Sequence, residues 1–470
     1  MSSTLANSVS YEGWSREKLI ERLNLLESGT LTSPAVEGAP IAKEVIQPKH
    51  FKDFEFSRHP RRKIALKFCY SGWEYGGLAF QIGPTPLPTV EKVLFDALAK
   101  ARLVEKDVGF DGCGWEKCGR TDRGVSAAGQ VVSLWVRSAL PSEVSSTENI
   151  DSKGAFSKKC EHDYLAILNR LLPDTIRIIA WSPVSATFSA RFSCKYRHYK
   201  YFFSPLNLDV TQMQNAASRM IGDHDFQNLC KLDPQKQITS FRRVVFNASI
   251  DPLDDGMYVF NLVGSAFLYH QVRHIMAILF LVGSGLESPS IVTDLMNVEE
   301  GLEPPRTEDL PKQKYAVVDR KPEYQMADAL PLMLWECGYD EAEVAWRTTG
   351  KPDDEGIEGG LANGGELYHQ LQSIQTRSQV FFTLNHHFLE AAAKYHPKPV
   401  SPLPLKDGIG NLKTSNKQVI NIPLGGGTFK RSLKYMPLLE RGRLDTVEVM
   451  NERWRLGKGM RREERRQQPN

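Results

Sequence analysis

One carboxylate in this chain stands where chemistry would place a reactive one. In Lys117-Cys118-Gly119-Arg120-Thr121-Asp122-Arg123-Gly124-Val125, Asp122 lies between Arg120 and Arg123, in a run punctuated by two glycines. Nearby cations and backbone donors in a tight turn favour the ionised carboxylate, and such a group suits nucleophilic attack. The glycines permit a sharp turn and close approach of a ligand to the backbone. Taken alone, the stretch equally describes a polar β-turn in which Asp122 bonds its own backbone.

Two other residues belong with it as candidates. In Arg197-His198-Tyr199-Lys200-Tyr201, strand alternation puts Arg197, Tyr199 and Tyr201 on one face and His198 and Lys200 on the other. Aromatics interleaved with cations suit a nucleic-acid surface, although an exposed charged strand has the same pattern. Arg273 sits near the start of a helix whose apolar stripe is Val272, Ile275, Met276 and Leu279. A cation there opposes the macrodipole, so an anion should compensate it, with a phosphate or Asp122 as candidates; a solvated surface arginine is the plain alternative. His224, between Asp223 and Asp225, reads as a locally bonded turn rather than an acid or base.

The elements that must position these residues follow from periodicity. Ile64 to Tyr70 reads as a strand behind the basic cluster Arg58 to Lys63, and Tyr70 to Gly77 as a glycine-punctuated loop with three aromatic rings, either stacking on bases or capping the core. Thr89 should cap an amphipathic helix with Val90, Leu94, Ala97 and Leu98 inside, and Gln130 to Val136 alternates like a half-buried strand. A helix from Thr211 should stop at Gly222, Tyr258 to Val263 should be a strand, and Ala327 to Cys337 another. Ser15 with Leu19, Leu23 and Leu26 marks a short helix followed by linker composition over 28–50, and 141–163 reads as a polar insertion. Leu367 to Tyr395 is a long helix, and Lys430 to Gln467 is strongly basic, suited either to RNA or to a solvated end. The resulting segments are 1–50, 51–205, 206–340, 341–430 and 431–470.

With 470 residues, 41% hydrophobic and 24% charged, the chain has the composition of a soluble globular protein with two or three domains. Its 59 basic residues nearly cancel 56 acidic ones, so clustering carries the electrostatic information. Seven scattered cysteines fit a reducing compartment rather than a disulfide framework. Cys113 and Cys118 lack the neighbours of a zinc-site spacing, so no metal is expected. The start lacks a secretory pattern, and the longest apolar run, Ile275 to Val282, is too short to span a bilayer. Gly425-Gly426-Gly427 lacks the Gly-Lys-Ser/Thr of a phosphate loop.

Four separated stretches together resemble the TruA-type tRNA pseudouridine synthases. These are Gly119 to Val125, the loop Tyr70 to Gly77, Phe188-Ser189-Ala190-Arg191-Phe192-Ser193 running on to Phe203, and Phe267-Leu268-Tyr269-His270-Gln271-Val272-Arg273. The finer likeness is to the eukaryotic branch that modifies uridines 38 and 39 of the tRNA anticodon arm; it rests on Gly72-Trp73, on His224 to Lys231, and on Tyr435-Met436-Pro437-Leu438 with Arg443 to Thr446. Ser126 departs from the histidine usual in bacterial members, and Arg123 from their alanine.

The resemblance implies an α+β fold of two similar subdomains, each an antiparallel sheet flanked by helices, with the active-site cleft between them. It implies catalysis by Asp122 without a cofactor, Arg120 filling the stack left by a flipped base, Tyr199 stacking on the uracil, Arg273 keeping Asp122 ionised, and Leu332 on the last active-site strand. It also implies tRNA as partner, a homodimer, no membrane, and a place in nucleus and cytoplasm. The competing readings are a related eukaryotic synthase acting on other uridines, a non-catalytic tRNA-binding protein, and a glycosidase, which would need a second carboxylate.

Overall fold

Ten residues, Arg61–Tyr70, form the first strand, β1, and its apolar positions Ile64, Leu66 and Phe68 are wholly buried. The computed structural model describes residues 54–141, 160–303, 314–350, 361–398, 401–405 and 419–467. The expected N-terminal helix and linker, and most of the insertion at 141–163, lie outside them.

The remaining strands of the main sheet are β2 (Glu116–Lys117), β3 (Ser126–Arg137), β4 (Ile176–Pro183), β5 (Tyr196–Phe203), β6 (Gly222–Asp225), β7 (Arg242–Pro252), β8 (Tyr258–Gly264) and β9 (Leu332–Gly338). They make one nine-stranded sheet in the order β4-β1-β3-β9-β5-β8-β7-β6, with β2 pairing on β3. The mixed α/β architecture agrees with the expected class, but the two anticipated sheets are halves of one continuous sheet. The reason is β9, which returns from late in the chain and slots between β3 and β5, parallel to β3 and antiparallel to β5.

Two hydrophobic cores are built against this sheet. One gathers β1, β3 and β4 with α1 (Val90–Lys100) and α2 (Tyr164–Asn169); the other gathers β5, β7 and β8 with α3 (Val210–Ser218), α4 (Gln271–Gly283) and α5 (Ile291–Met296). Tyr199 packs against both. Thr89 caps α1 as its sequence predicts, accepting from the Lys92 amide, and Val90, Leu94, Ala97 and Leu98 are buried. Helix α3 ends at Ser218, short of Gly222, because that glycine, at φ +122°, already opens β6. His224 therefore lies on a strand, with Nδ1 2.8 Å from Glu303 Oε1 and Nε2 2.9 Å from the Ile221 carbonyl.

Helix α6 (Leu361–Ala393) is longer than predicted, and Phe381, Phe382, Phe388 and Leu389 on it are exposed. Strands β10 (Ile420–Gly425) and β11 (Thr428–Ser432) form a separate hairpin whose turn is Gly425 to Gly427, all at positive φ. The basic C-terminal segment is partly built into the fold. Tyr435, Leu438 and Val447 are buried in the second core, and Glu287 accepts from the Leu438 amide at 2.7 Å and from the Tyr435 hydroxyl. Thr446 caps α7 (Val447–Trp454). Apolar residues interspersed among the arginines account for this, since cations on the exposed side leave them free to pack.

Candidate active site

The loop bearing Asp122 is held from both ends. On its entry side, Lys117 pairs at 2.6 Å with Glu91, a buried carboxylate of α1 that also accepts from Trp115 Nε1 at 2.8 Å and the Phe80 amide at 2.8 Å. On its exit side, the Val125 amide donates to the Asp122 carbonyl at 3.1 Å, closing a turn that Gly124, at φ +85°, allows. Arg120 and Arg123 are exposed, Thr121 is buried, and Asp122 is partly exposed.

The aromatic loop after β1 buttresses that turn. Gly72 donates its amide to Ser126 Oγ at 3.0 Å and lies so close that a Cβ on it would sit 2.1 Å from the Val125 carbonyl oxygen. The Tyr70 hydroxyl bonds Thr121 Oγ1. Tyr70 and Tyr75 are core residues, so the core-capping reading holds for them, whereas Trp73 is 56% exposed.

Asp122 faces His270. Its Oδ1 is 3.2 Å from His270 Nε2, and the His270 side chain is only 7% exposed. His270 caps α4 in a left-handed conformation, φ 57°, which turns its ring out of the helix path. Among the described residues, its buried Nδ1 has no hydrogen-bond partner. The ring lies against Tyr269, centroids 3.9 Å apart, and the Lys236 ammonium stands 3.8 Å from the centroid of Tyr269. Lys236, Tyr269, His270 and Asp122 thus form one continuous chain of contacts. Burial lowers the Lys236 ammonium, with Asp233 opposing and Arg120 adding to the effect. Burial likewise raises the Tyr269 phenol, helped by Asp122.

Arg273, one turn into α4, donates from Nε to the Ala327 carbonyl at 2.8 Å, and the Ala327 amide returns a bond to the Arg273 carbonyl at 3.1 Å. It fixes the segment that enters β9. The side chain paired with Asp122 is therefore His270, where sequence reasoning offered Arg273.

Tyr199 is placed by the sheet. On β5 it pairs with Leu334 of β9, and Leu334 pairs with Ala127, just after the Asp122 turn. Two strand spacings separate them, about 10 Å. Its ring meets Phe267 edge-on, centroids 5.1 Å apart, and burial pushes its phenol well up, so it stays protonated. On the other sheet face, His198 bonds Asn261 at 3.0 Å and Lys200 lies 3.7 Å from the Trp335 ring centroid. Leu332 opens β9 and is buried in the second core, while Leu330, two residues earlier, is 47% exposed. The strand starts at Leu332, five residues later than the predicted Ala327, because Asp328 accepts from the Leu330 amide and turns the chain.

Sequence reasoning missed His270, Tyr269 and Lys236. The first two lie inside the stretch it quoted, and the available signal was the histidine directly ahead of a helix start near which an anion was already expected. It also missed the partners of Cys118, which are not Cys113 but Cys194 and Cys337, far apart in sequence and gathered by the sheet.

An acid paired with a histidine, a protonated phenol and exposed arginines at one end of a sheet can attack a sugar carbon and move a proton. Residues 216–340 match the tRNA pseudouridine synthase family profile. The chain is 39% identical to the tRNA pseudouridine(38/39) synthase of Saccharomyces cerevisiae, over 94% of this chain and 91% of the yeast protein. The Homo sapiens protein of that name is 41% identical, with 62% of this chain aligned to 58% of the human one. The tRNA pseudouridine synthase A of Methanothrix thermoacetophila is 32% identical, over 50% of this chain and 75% of the archaeal protein. The chain belongs to the TruA-type tRNA pseudouridine synthase family, whose members are isomerases that convert uridine to pseudouridine.

Proposed function

We propose that this protein isomerises uridines 38 and 39 in the anticodon arm of tRNA, with Asp122 as the catalytic carboxylate. The observation that carries the mechanism is the Asp122 carboxylate, partly exposed on a turn buttressed from two sides and held at 3.2 Å by His270. Support for the position comes from the yeast and human relatives, which bear those positions in their names.

In this reading the target base leaves the stack, at a cost of a few kcal/mol, and Arg120, exposed beside Asp122, occupies the gap. Asp122 promotes cleavage of the N1–C1′ bond. The departing uracil is delocalised over two carbonyls, so one carboxylate suffices where a glycosidase needs a second acid. The base turns, C5 joins C1′, and the C5 proton leaves; Tyr199, stacked on the uracil, relays it. Arg273 positions the strap at Ala327, and Leu332 underlies the base through β9. No cofactor takes part. By family likeness the protein acts as a homodimer, and it serves tRNA in nucleus and cytoplasm.

The test is twofold. Pseudouridine mapping of tRNA from cells lacking the protein should show loss at 38 and 39, and unchanged sites would refute the position. Purified Asp122→Ala should bind tRNA as the parent does and form no pseudouridine; retained activity would refute the mechanism.

A further inference from the structure

Cys118, Cys194 and Cys337 come from three distant parts of the chain, yet their sulfurs all lie within 4.8 Å of one another and all three residues are buried. None is in a disulfide. Cys118 directly follows β2, Cys194 precedes β5, and Cys337 is next to last on β9. These segments lead, respectively, to Asp122, to Tyr199 and back to Leu332.

A buried thiol is ordinarily a small apolar side chain with a weak donor. Here the three lie in the first hydrophobic core with a guanidinium alongside. The Arg197 guanidinium threads between the segments, donating to the carbonyls of Ser265 at 2.7 Å, Arg191 at 2.8 Å, Cys118 at 3.3 Å and Cys194 at 3.4 Å. Arg197 also pairs with Cys337 in the β5–β9 ladder. Three buried sulfurs gathered around a point form a set of soft ligands.

The dimensions and the charge both fit a metal. Tetrahedral zinc with bonds of about 2.3 Å holds its sulfurs about 3.8 Å apart, inside the limit the cluster meets. Three thiolates, one divalent cation and one guanidinium sum to zero, which leaves the fourth position for a neutral donor such as water. Among the described residues no further His, Cys, Asp or Glu joins the trio.

We propose that Cys118, Cys194 and Cys337 bind one thiophilic divalent cation of the zinc class, which ties together the three segments that carry Asp122, Tyr199 and Leu332. Binding replaces thiol protons, released to solvent, with metal–sulfur bonds, and nothing is oxidised or reduced. Its readout, metal content and absorption, does not depend on the activity proposed above.

The experiment uses the full-length protein purified under reducing conditions with zinc in the growth medium. Elemental analysis after dialysis should find about one zinc per chain. Titrating the metal-free protein with cadmium should raise the near-ultraviolet thiolate-to-cadmium absorption to saturation at the same stoichiometry. Cys194→Ser and Cys337→Ser should each weaken cadmium binding by at least the roughly 10–100-fold that even outer-shell changes cost. Cys113→Ser, buried but outside the trio, should leave it unchanged. The cadmium band on the parent protein keeps the test decisive if a variant misfolds. Absence of zinc together with absence of that band would overturn the proposal, as would a disulfide between any two of the three in the reduced preparation.

Discussion

Asp122 and His270 act as a pair, and the pair sets what single substitutions should do. His270→Ala removes a bond to a charged acceptor, worth about 1.5–3 kcal/mol, and should lower the single-turnover rate of pseudouridine formation roughly 10–100-fold with little change in tRNA affinity. His270→Gln, which keeps a donor, should recover part of that loss; a His270→Ala enzyme at the parental rate would remove the histidine from the site. The neighbouring glycines divide sharply. A Cβ at Gly72 would meet the Val125 carbonyl oxygen at 2.1 Å, whereas one at Gly119 meets nothing within 4 Å. Gly72→Ala should therefore lower the melting temperature by several degrees through overpacking of about 1–3 kcal/mol, and Gly119→Ala should leave it near the parental value in the same thermal scan. Asp122 was legible in the sequence because its neighbours are also its chain neighbours. His270 was not singled out because the contact that matters to it crosses from one half of the sheet to the other, and no local spacing encodes that.

At the scale of elements, the burial of α4 has an electrostatic consequence. Its apolar stripe was readable from periodicity, and Val272, Ile275, Met276 and Leu279 are indeed inside. What periodicity did not reveal is that His274 and Lys321 are buried together, the ammonium 3.3 Å from the imidazole nitrogens and bonded to the Cys230 carbonyl. Burial, with Lys321 adding to it, holds the His274 imidazole down at about 2, and burial lowers Lys321 to about 8. Both groups bind protons more readily in the unfolded chain, so both make stability rise with pH: His274 between about 2 and its ordinary 6.5, Lys321 between about 8 and its ordinary 10.5. Urea midpoints should fall as the pH drops below 6.5, and His274→Gln should flatten that decline. A parent protein whose midpoint holds constant from pH 6.5 to 4.5 would contradict the burial. The strand boundaries were harder to read than the helix stripes, since β6 and the start of β9 depend on cross-strand partners and on the Asp328 turn rather than on composition.

For the whole molecule, the C-terminal segment proves to be two things. Tyr435 to Trp454 is structural, with residues in the second core, whereas beyond Trp454 the described residues include no buried anchor comparable to Leu438. Deleting residues beyond Gly457 should leave the fold intact, as circular dichroism would register, and should weaken tRNA binding more at low salt than at high salt. A loss independent of salt would assign the deleted segment a packing role instead.

Strand β9 also fixes an order of events during synthesis. The first core includes Leu334, Cys337 and Val344, and the start of β3, at Ser126 and Ala127, takes its partners from Met333 and Leu334, on the edge that β2 covers further along. Until those residues leave the ribosome, the nascent N-terminal half keeps an open strand edge and an unfilled core. The turn that carries Asp122 lies at that edge, so the Asp122 carboxylate acquires its final surroundings among the last parts of the sheet, although it is translated early.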